Sequence, residues 1–184
     1  MKAGDVLAAY VSYLGGPEQP DTIVCDPGTA FASASVSCVP SAKTTTTTVG
    51  SVPGANSRWR HVVDVILDVN PTKKLRFLAN ADLDHEDLGP TGARWYGANL
   101  AIGYQFVEVF GAAVRGGYFG DPDGFATGTK NASVGDATLT LTLTPDPRFK
   151  VMLDDRVDAS NEKLFQKAET PGGSQVQVTT TLGV

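Results

Sequence analysis

The sequence predicts an all-β chain: an antiparallel up-and-down membrane β-barrel with about eight strands present, expected to be part of a larger barrel. From Arg60 to Val184, seven segments carry an apolar residue at every second position. Successive side chains of a strand point to opposite faces, so each segment has one apolar and one polar face. The connections alternate between short and long, the rhythm of membrane-spanning barrels. The apolar stripes are also rich in small residues and end in aromatic ones.

In order along the chain, residues 6–14 (VLAAYVSYL) are apolar on both faces and stop at Gly15-Gly16-Pro17, which predicts a first strand. Residues 18–57 read as one long irregular stretch, an extracellular loop containing the polar run Thr44 to Thr48. The second strand, 60–69, sets Val63, Val65, Leu67 and Val69 against Arg60, Asp64 and Asp68. Asn70-Pro71-Thr72-Lys73 has turn chemistry, because Pro fixes φ and Asn favours turn initiation. The third strand, 74–84, places Leu75, Phe77, Ala79, Ala81 and Leu83 opposite Lys74, Arg76, Asn80, Asp82 and Asp84.

Residues 85–94 read as a loop of ten. The fourth strand follows with Tyr96, Ala98, Leu100, Ile102, Tyr104 and Phe106 on one face, and a short turn near Val107 leads to the fifth, with Phe110, Ala112, Val114 and Tyr118 opposite Ala113, Arg115 and Gly117. A Gly/Asp-rich loop covers 120–133. The sixth strand is the ladder ATLTLTLT at 137–144, and Pro145-Asp146-Pro147 turns it into the seventh, where Phe149, Val151, Leu153 and Val157 oppose Lys150, Met152, Asp154, Arg156 and Asp158. Residues 159–173 read as a loop before a last stripe of Val176, Val178, Thr180, Leu182 and Val184. All long loops fall at one rim and all short turns at the other.

Alternation alone fits a soluble, lipocalin-like barrel with an apolar interior as well as a membrane barrel with an apolar exterior. Three features decide for the second. Ala79, Ala81, Ala98, Ala112 and Gly116 would leave a soluble core under-packed. Tyr96 and Tyr118 adjoin long loops while Phe106, Phe110 and Phe149 adjoin short turns, the two girdles expected at membrane interfaces. The loop asymmetry fits extracellular loops and periplasmic turns.

The polar faces then line a lumen. Its candidate pore charges are Arg60, Lys74, Arg76, Arg115, Lys150 and Arg156 against Asp64, Asp68, Asp82, Asp84, Asp154 and Asp158. Mixed charges on one wall are expected to pair across strands as a solvated lattice, and such a wall also sets ion selectivity.

Composition narrows the remaining classes. At 184 residues and 41% hydrophobic content the chain fits one domain, 1–184, and no window approaches the ~20 apolar residues of a transmembrane helix. A net charge of −5 without a basic cluster argues against nucleic acid as a partner. Cys25 and Cys38 are too few for a zinc site with His61 and His85 elsewhere, which leaves a disulfide closing a small loop or two unpaired thiols. Met1 precedes Lys2-Ala3-Gly4-Asp5 with no apolar signal region, so an exported protein would have more chain before it.

Asp121-Pro122-Asp123-Gly124 is spaced like the start of a calcium loop, but the later ligands are missing and a loop-tip turn is the better reading. Asp82, Asp84, His85, Glu86 and Asp87 read as a solvated acidic cluster at a strand end. No nucleophile–base pair, phosphate loop or histidine ligand set points to an enzyme or a cofactor.

From Gly15 onward the chain resembles the "putative β-barrel porin" family of bacterial outer membranes, the group related to oligogalacturonate and small-solute porins. The resemblance is carried by Gly15-Gly16-Pro17-Glu18, Lys74-Leu75, Trp95-Tyr96-Gly97, the run Val114-Arg115-Gly116-Gly117-Tyr118-Phe119-Gly120-Asp121-Pro122-Asp123-Gly124-Phe125, and Arg156-Val157-Asp158-Ala159-Ser160-Asn161 with Phe165. Only the C-terminal portion of such a porin is matched. The chain departs from the family at Asp155, a lipid-side position that tends to an aromatic, and at Val184, where a terminal aromatic is expected.

The resemblance implies an outer-membrane porin fragment for passive diffusion of small hydrophilic solutes. Its implied partners are outer-membrane lipid, those solutes and the missing N-terminal strands of the same protein. The alternative is a closed eight-stranded barrel, a structural or ligand-binding module whose interior side chains leave no channel.

Overall fold

The computed structural model describes residues 6–17, 22–25, 48–51, 57–88, 91–167 and 170–184. β-Branched and aromatic residues dominate the periodic segments, and these suit a pleated, half-buried surface. The long strands are β1 (Leu7–Pro17), β4 (Trp59–Val69), β5 (Leu75–Asp87), β6 (Gly92–Val107), β7 (Phe110–Asp121), β8 (Ala132–Asp146), β9 (Phe149–Ser160) and β12 (Val176–Gly183). They form one eight-stranded sheet in the order β1-β4-β5-β6-β7-β8-β9-β12. Every neighbouring pair is antiparallel. The up-and-down order expected from the sequence is therefore the observed one.

Two short hairpins stand outside that sheet. Strands β2 (Thr22–Cys25) and β3 (Thr48–Ser51) pair with each other inside the stretch read as irregular, and β10 (Phe165–Lys167) pairs with β11 (Thr170–Ser174) inside the 159–173 loop. Cys38 lies outside the described residues, so the Cys25–Cys38 alternatives fall there too.

The strands run longer than the apolar pattern suggested. The loop expected at 85–94 is a correction: His85 pairs with Arg94, Glu86 with Ala93 and Asp87 with Gly92. The ladder continues there because backbone hydrogen bonding needs no apolar face. The alternation stops where one face ceases to be apolar, and the pairing stops four residues later. Leu88 closes the turn by donating its N–H to the Thr91 carbonyl at 3.0 Å. The loop rim thus carries one short connection among its long ones.

At the opposite, turn rim the chemistry is local. Thr72 Oγ1 accepts the N–H groups of Lys74 and Leu75 at 3.2 and 3.0 Å, and Asp146 Oδ1 accepts that of Arg148 at 3.0 Å. Both are side-chain mimics of a turn.

The burial pattern is inverted relative to a soluble domain. Among the described residues the buried apolar side chains are Ala93 and Ala132, whereas Glu86, Asp121 and Asp158 are buried. Leu100, Val114 and Tyr118 are 49, 57 and 50% exposed. Cross-strand partners share a face, so Val63, Leu83 and Tyr96 form one continuous apolar row with Tyr13.

The sheet is open: β1 and β12 are its two edges. The closed eight-stranded barrel is not the arrangement observed.

Candidate pore-lining face

The polar face carries a lattice of charge pairs that cross from strand to strand. Beginning at the turn rim, Arg76 of β5 binds Asp68 of β4 with both Nε and Nη2, at 2.9 and 2.7 Å. Asn70 adds a bond of 3.0 Å to the same carboxylate. One step inward, Asn80 donates to Asp64 and accepts from Asn99 at 3.0 Å, forming an amide ladder over β4, β5 and β6. Next comes a like-charge juxtaposition: Asp64 lies directly opposite Asp82. Asp82 in turn lies opposite Gly97, where a Cβ would sit 2.7 Å from its Oδ2. Glycine there lets the carboxylate lie flat on the sheet. Among the described residues neither Asp64 nor Asp82 has an ion pair.

On the other half of the sheet, Arg115 of β7 and Arg156 of β9 both reach Asp136 of β8, at 3.3 and 3.9 Å. Arg156 also holds Asp158 at 2.6 Å, and Thr140 donates to Asp154 at 2.5 Å. Arg115 Nε is buried with no hydrogen-bond partner among the described residues, while Nη2 carries the contacts to Asp136 and Thr138. Between these strands lies a hollow of about 360 Å³ lined by Arg115, Thr138, Thr140, Asp154, Arg156 and Thr179, among others.

Near the loop rim the face is covered. Arg60 Nε bonds the wholly buried Glu86 at 2.6 Å. The Arg60 guanidinium also lies 5.6 Å from the Trp95 ring and 5.8 Å from that of Phe125, and those two rings stack at 5.0 Å. Cation–π contacts of this kind contribute about 0.5–1 kcal/mol each.

Phe125 belongs to the loop 122–131, which is folded back by Asp121. That carboxylate accepts N–H bonds from Phe125, Ala126 and Thr127 at 3.0, 2.9 and 2.7 Å and the Thr127 hydroxyl at 2.8 Å. Gly124 takes a φ of +74°, which an L side chain rarely adopts. The spacing that resembled a calcium loop is thus a turn whose first carboxylate is spent on backbone donors.

Placement of the sequence-predicted residues follows from this. Arg60, Asp64, Asp68, Arg76, Asp82, Arg115, Asp154, Arg156 and Asp158 all lie on strands of the polar face. Lys74 precedes β5 and reaches the Phe106 carbonyl at 3.3 Å, and Lys150 is the second residue of β9, so both stand near the turn rim beside one hollow. The solvated-cluster reading of Glu86 is corrected, since its carboxylate is 0% exposed and paired. Asp136 was not singled out, while Trp95, Asp121 and Phe125 stood in the motifs of the resemblance, and Asp121 in the calcium-like spacing, without a place on this face. Asp136 was legible in principle, because it continues the period of Thr138 and Thr140 by one step.

The apolar face carries the two aromatic clusters expected of it. Tyr96 and Tyr118 lie 6.3 Å apart toward the loop rim, while Tyr104, Phe106 and Phe110 cluster at 5.1 and 5.5 Å toward the turn rim. Asp155 is exposed on this face, as the resemblance implied, and accepts a bond of 2.6 Å from Thr180.

A family model described as "Putative beta-barrel porin-2, OmpL-like" matches residues 3–184. No curated protein matches the chain. No solved structure matches it either.

Proposed function

Because the chain belongs to the putative beta-barrel porin-2, OmpL-like family, we propose that it forms part of the wall of a bacterial outer-membrane channel for passive diffusion of small hydrophilic solutes. The observation that carries this reading is the inverted burial: charges inward and large apolar side chains outward along the same strands. In lipid the outward stripe is at home, and each large side chain so placed contributes about 1.5–3 kcal/mol relative to water. The inward face offers hydroxyls, amides and paired charges, which exchange hydrogen bonds with a hydrated solute at little net cost.

The two open edges extend the proposal. An unpaired strand edge in hydrocarbon costs several kcal/mol for each unsatisfied backbone group. Strands β1 and β12 therefore pair with further strands of the same protein, and the eight strands seen here form one arc of the wall.

The wall's charge balance also gives the channel a sign. Each lumen arginine is matched to a carboxylate, while Asp64 and Asp82 face each other without a cation bonded to either among the described residues. The arc thus favours cations over anions. Reversal potentials of the full-length protein in planar bilayers under a KCl gradient test this. A cation preference that weakens in Asp82→Asn supports the reading. Anion selectivity of the unaltered channel, or absence of any conductance from the full-length protein, refutes it.

A further inference from the structure

The outward surface of β4, β5 and β6 changes character at one cross-strand row. Val63, Leu83 and Tyr96 are mutual partners and form the last apolar row before the loop rim. His61, His85 and Arg94 are likewise mutual partners and form the next outward row, two residues along each strand. Two residues of strand is about 6.6 Å. That is the step from the top of an acyl layer to the phosphate plane above it.

The upper row is organised. The His61 and His85 rings stack at 6.3 Å, and Trp59 stacks on His61 at 6.3 Å. Tyr13 and His61 Nδ1 are hydrogen-bonded at 2.7 Å. That bond occupies Nδ1, so Nε2 is the ring nitrogen left for a ligand. Arg94 is 74% exposed, and its one ion pair among the described residues is a long contact of 4.0 Å from Nε to Asp123. Asp123 also accepts the Arg94 backbone N–H at 2.9 Å, so this carboxylate anchors the residue from the loop side. Both rows line one pocket of about 530 Å³, Val63, Leu83 and Tyr96 from the apolar row and His61, His85 and Arg94 from the next, with Asp84, Trp95 and Pro122 completing the lining.

An apolar base under a row of nitrogen donors matches one class of ligand. We infer that this pocket binds an anionic lipid of the surrounding leaflet, its acyl chain against Leu83 and Tyr96 and its phosphate against His61, His85 and Arg94. Loss of a cation at such a surface weakens anionic-lipid binding about five-fold. The inference rests on the proposal that the apolar face meets lipid, but not on conduction.

Native mass spectrometry of the full-length protein in nonionic detergent, with equimolar phosphatidylglycerol and phosphatidylcholine, reads the preference. Arg94→Gln and His85→Gln are the test variants; Arg148→Gln, at the other rim, is the matched control. Far-UV circular dichroism reports whether each variant keeps its strand content. The expected result is retained phosphatidylglycerol, reduced about five-fold in Arg94→Gln and unchanged in Arg148→Gln. Equal retention of both lipids, equal loss in the control, or complete displacement by millimolar inorganic phosphate would overturn the lipid site. Absence of lipid preference in a chain that still inserts into vesicles sinks this inference alone. Failure of the full-length protein to insert sinks the membrane reading with it.

Discussion

Arg115 on β7 and Arg156 on β9 share one carboxylate, Asp136, which lies between them on β8 at 3.3 and 3.9 Å. Three adjacent strands are thereby tied by side chains as well as by backbone. Asp136 is the anionic centre of that triad, and its side chain is 16% exposed while both arginines are about 40% exposed. Asp136→Ala leaves Arg115 without its carboxylate, while Arg156 keeps Asp158. A destabilisation of about 1–3 kcal/mol is expected, the cost of losing a charge-assisted hydrogen bond. The midpoint of urea unfolding in detergent micelles measures it, and an unchanged midpoint would show that solvent screens the triad.

The same triad depends on a glycine. Gly117 pairs with Asp136, and a Cβ at Gly117 would collide with the Asp136 carboxylate. Gly116, the next residue, points to the apolar face, where a Cβ would meet nothing nearer than 3.9 Å. Gly117→Ala should therefore lower the unfolding midpoint by about as much as Asp136→Ala, and Gly116→Ala should not lower it. The pair separates the close approach from any general effect of removing glycine from a strand, which favours the alanine variant by up to about 1 kcal/mol.

How much of this was written in the sequence depends on which physical signal each residue obeys. The strand faces were legible because lipid and lumen impose opposite chemistry on alternate residues, and β6 keeps that alternation from Trp95 to Gln105. The strand ends were not. Beyond Leu83 both faces are polar, so Glu86 looked solvated, although it lies wholly buried beneath Arg60. Its partner Arg60 lies against Phe125, which packs on Trp95 through a loop fold that no local periodicity encodes.

That loop fold gives a pH prediction. Asp121 lies beyond the Tyr96–Tyr118 aromatic pair, at the rim. Burial pushes its carboxyl up, but the donors of Thr127, Phe125 and Ala126 outweigh burial and hold it below the usual carboxylate value. A depressed carboxyl stabilises the fold above its unfolded pKa, ~3.9, and that contribution is lost as pH falls through the lower folded value. Acidification below about pH 4 should therefore release the loop 122–131, unstacking Phe125 from Trp95. Tryptophan fluorescence against pH reports it; in Asp121→Asn the transition should be absent.

Asp155 is the polar exception on the outward face. It pairs with Thr180 across β9 and β12 and adjoins Leu139 on β8. A carboxylate facing hydrocarbon is costly, less so than the roughly 2–4 kcal/mol of a midplane cation. Asp155→Val should therefore raise the stability of the inserted protein by about 1 kcal/mol or more. Urea unfolding in lipid vesicles measures the change. A drop in stability would mean that the Thr180 bond outweighs the cost of facing acyl chains.

The open edges bear on what the 184-residue chain can do alone. Among the described residues strand β1 pairs only with β4 and β12 only with β9, so one side of each offers a row of unpaired backbone groups. In lipid such edges find a partner or aggregate. Closing the eight strands on themselves would satisfy them, but a barrel of that size has an interior only wide enough for side chains. The charges of β4, β5, β7 and β9 already claim that interior. Either way the isolated chain should show no stable, porin-sized conductance steps in planar bilayers, whereas the same residues within a larger barrel should conduct. Long-lived, porin-sized steps from the 184-residue chain would mean that several copies close a wide ring, β1 of one against β12 of the next, a pairing the even strand count keeps antiparallel.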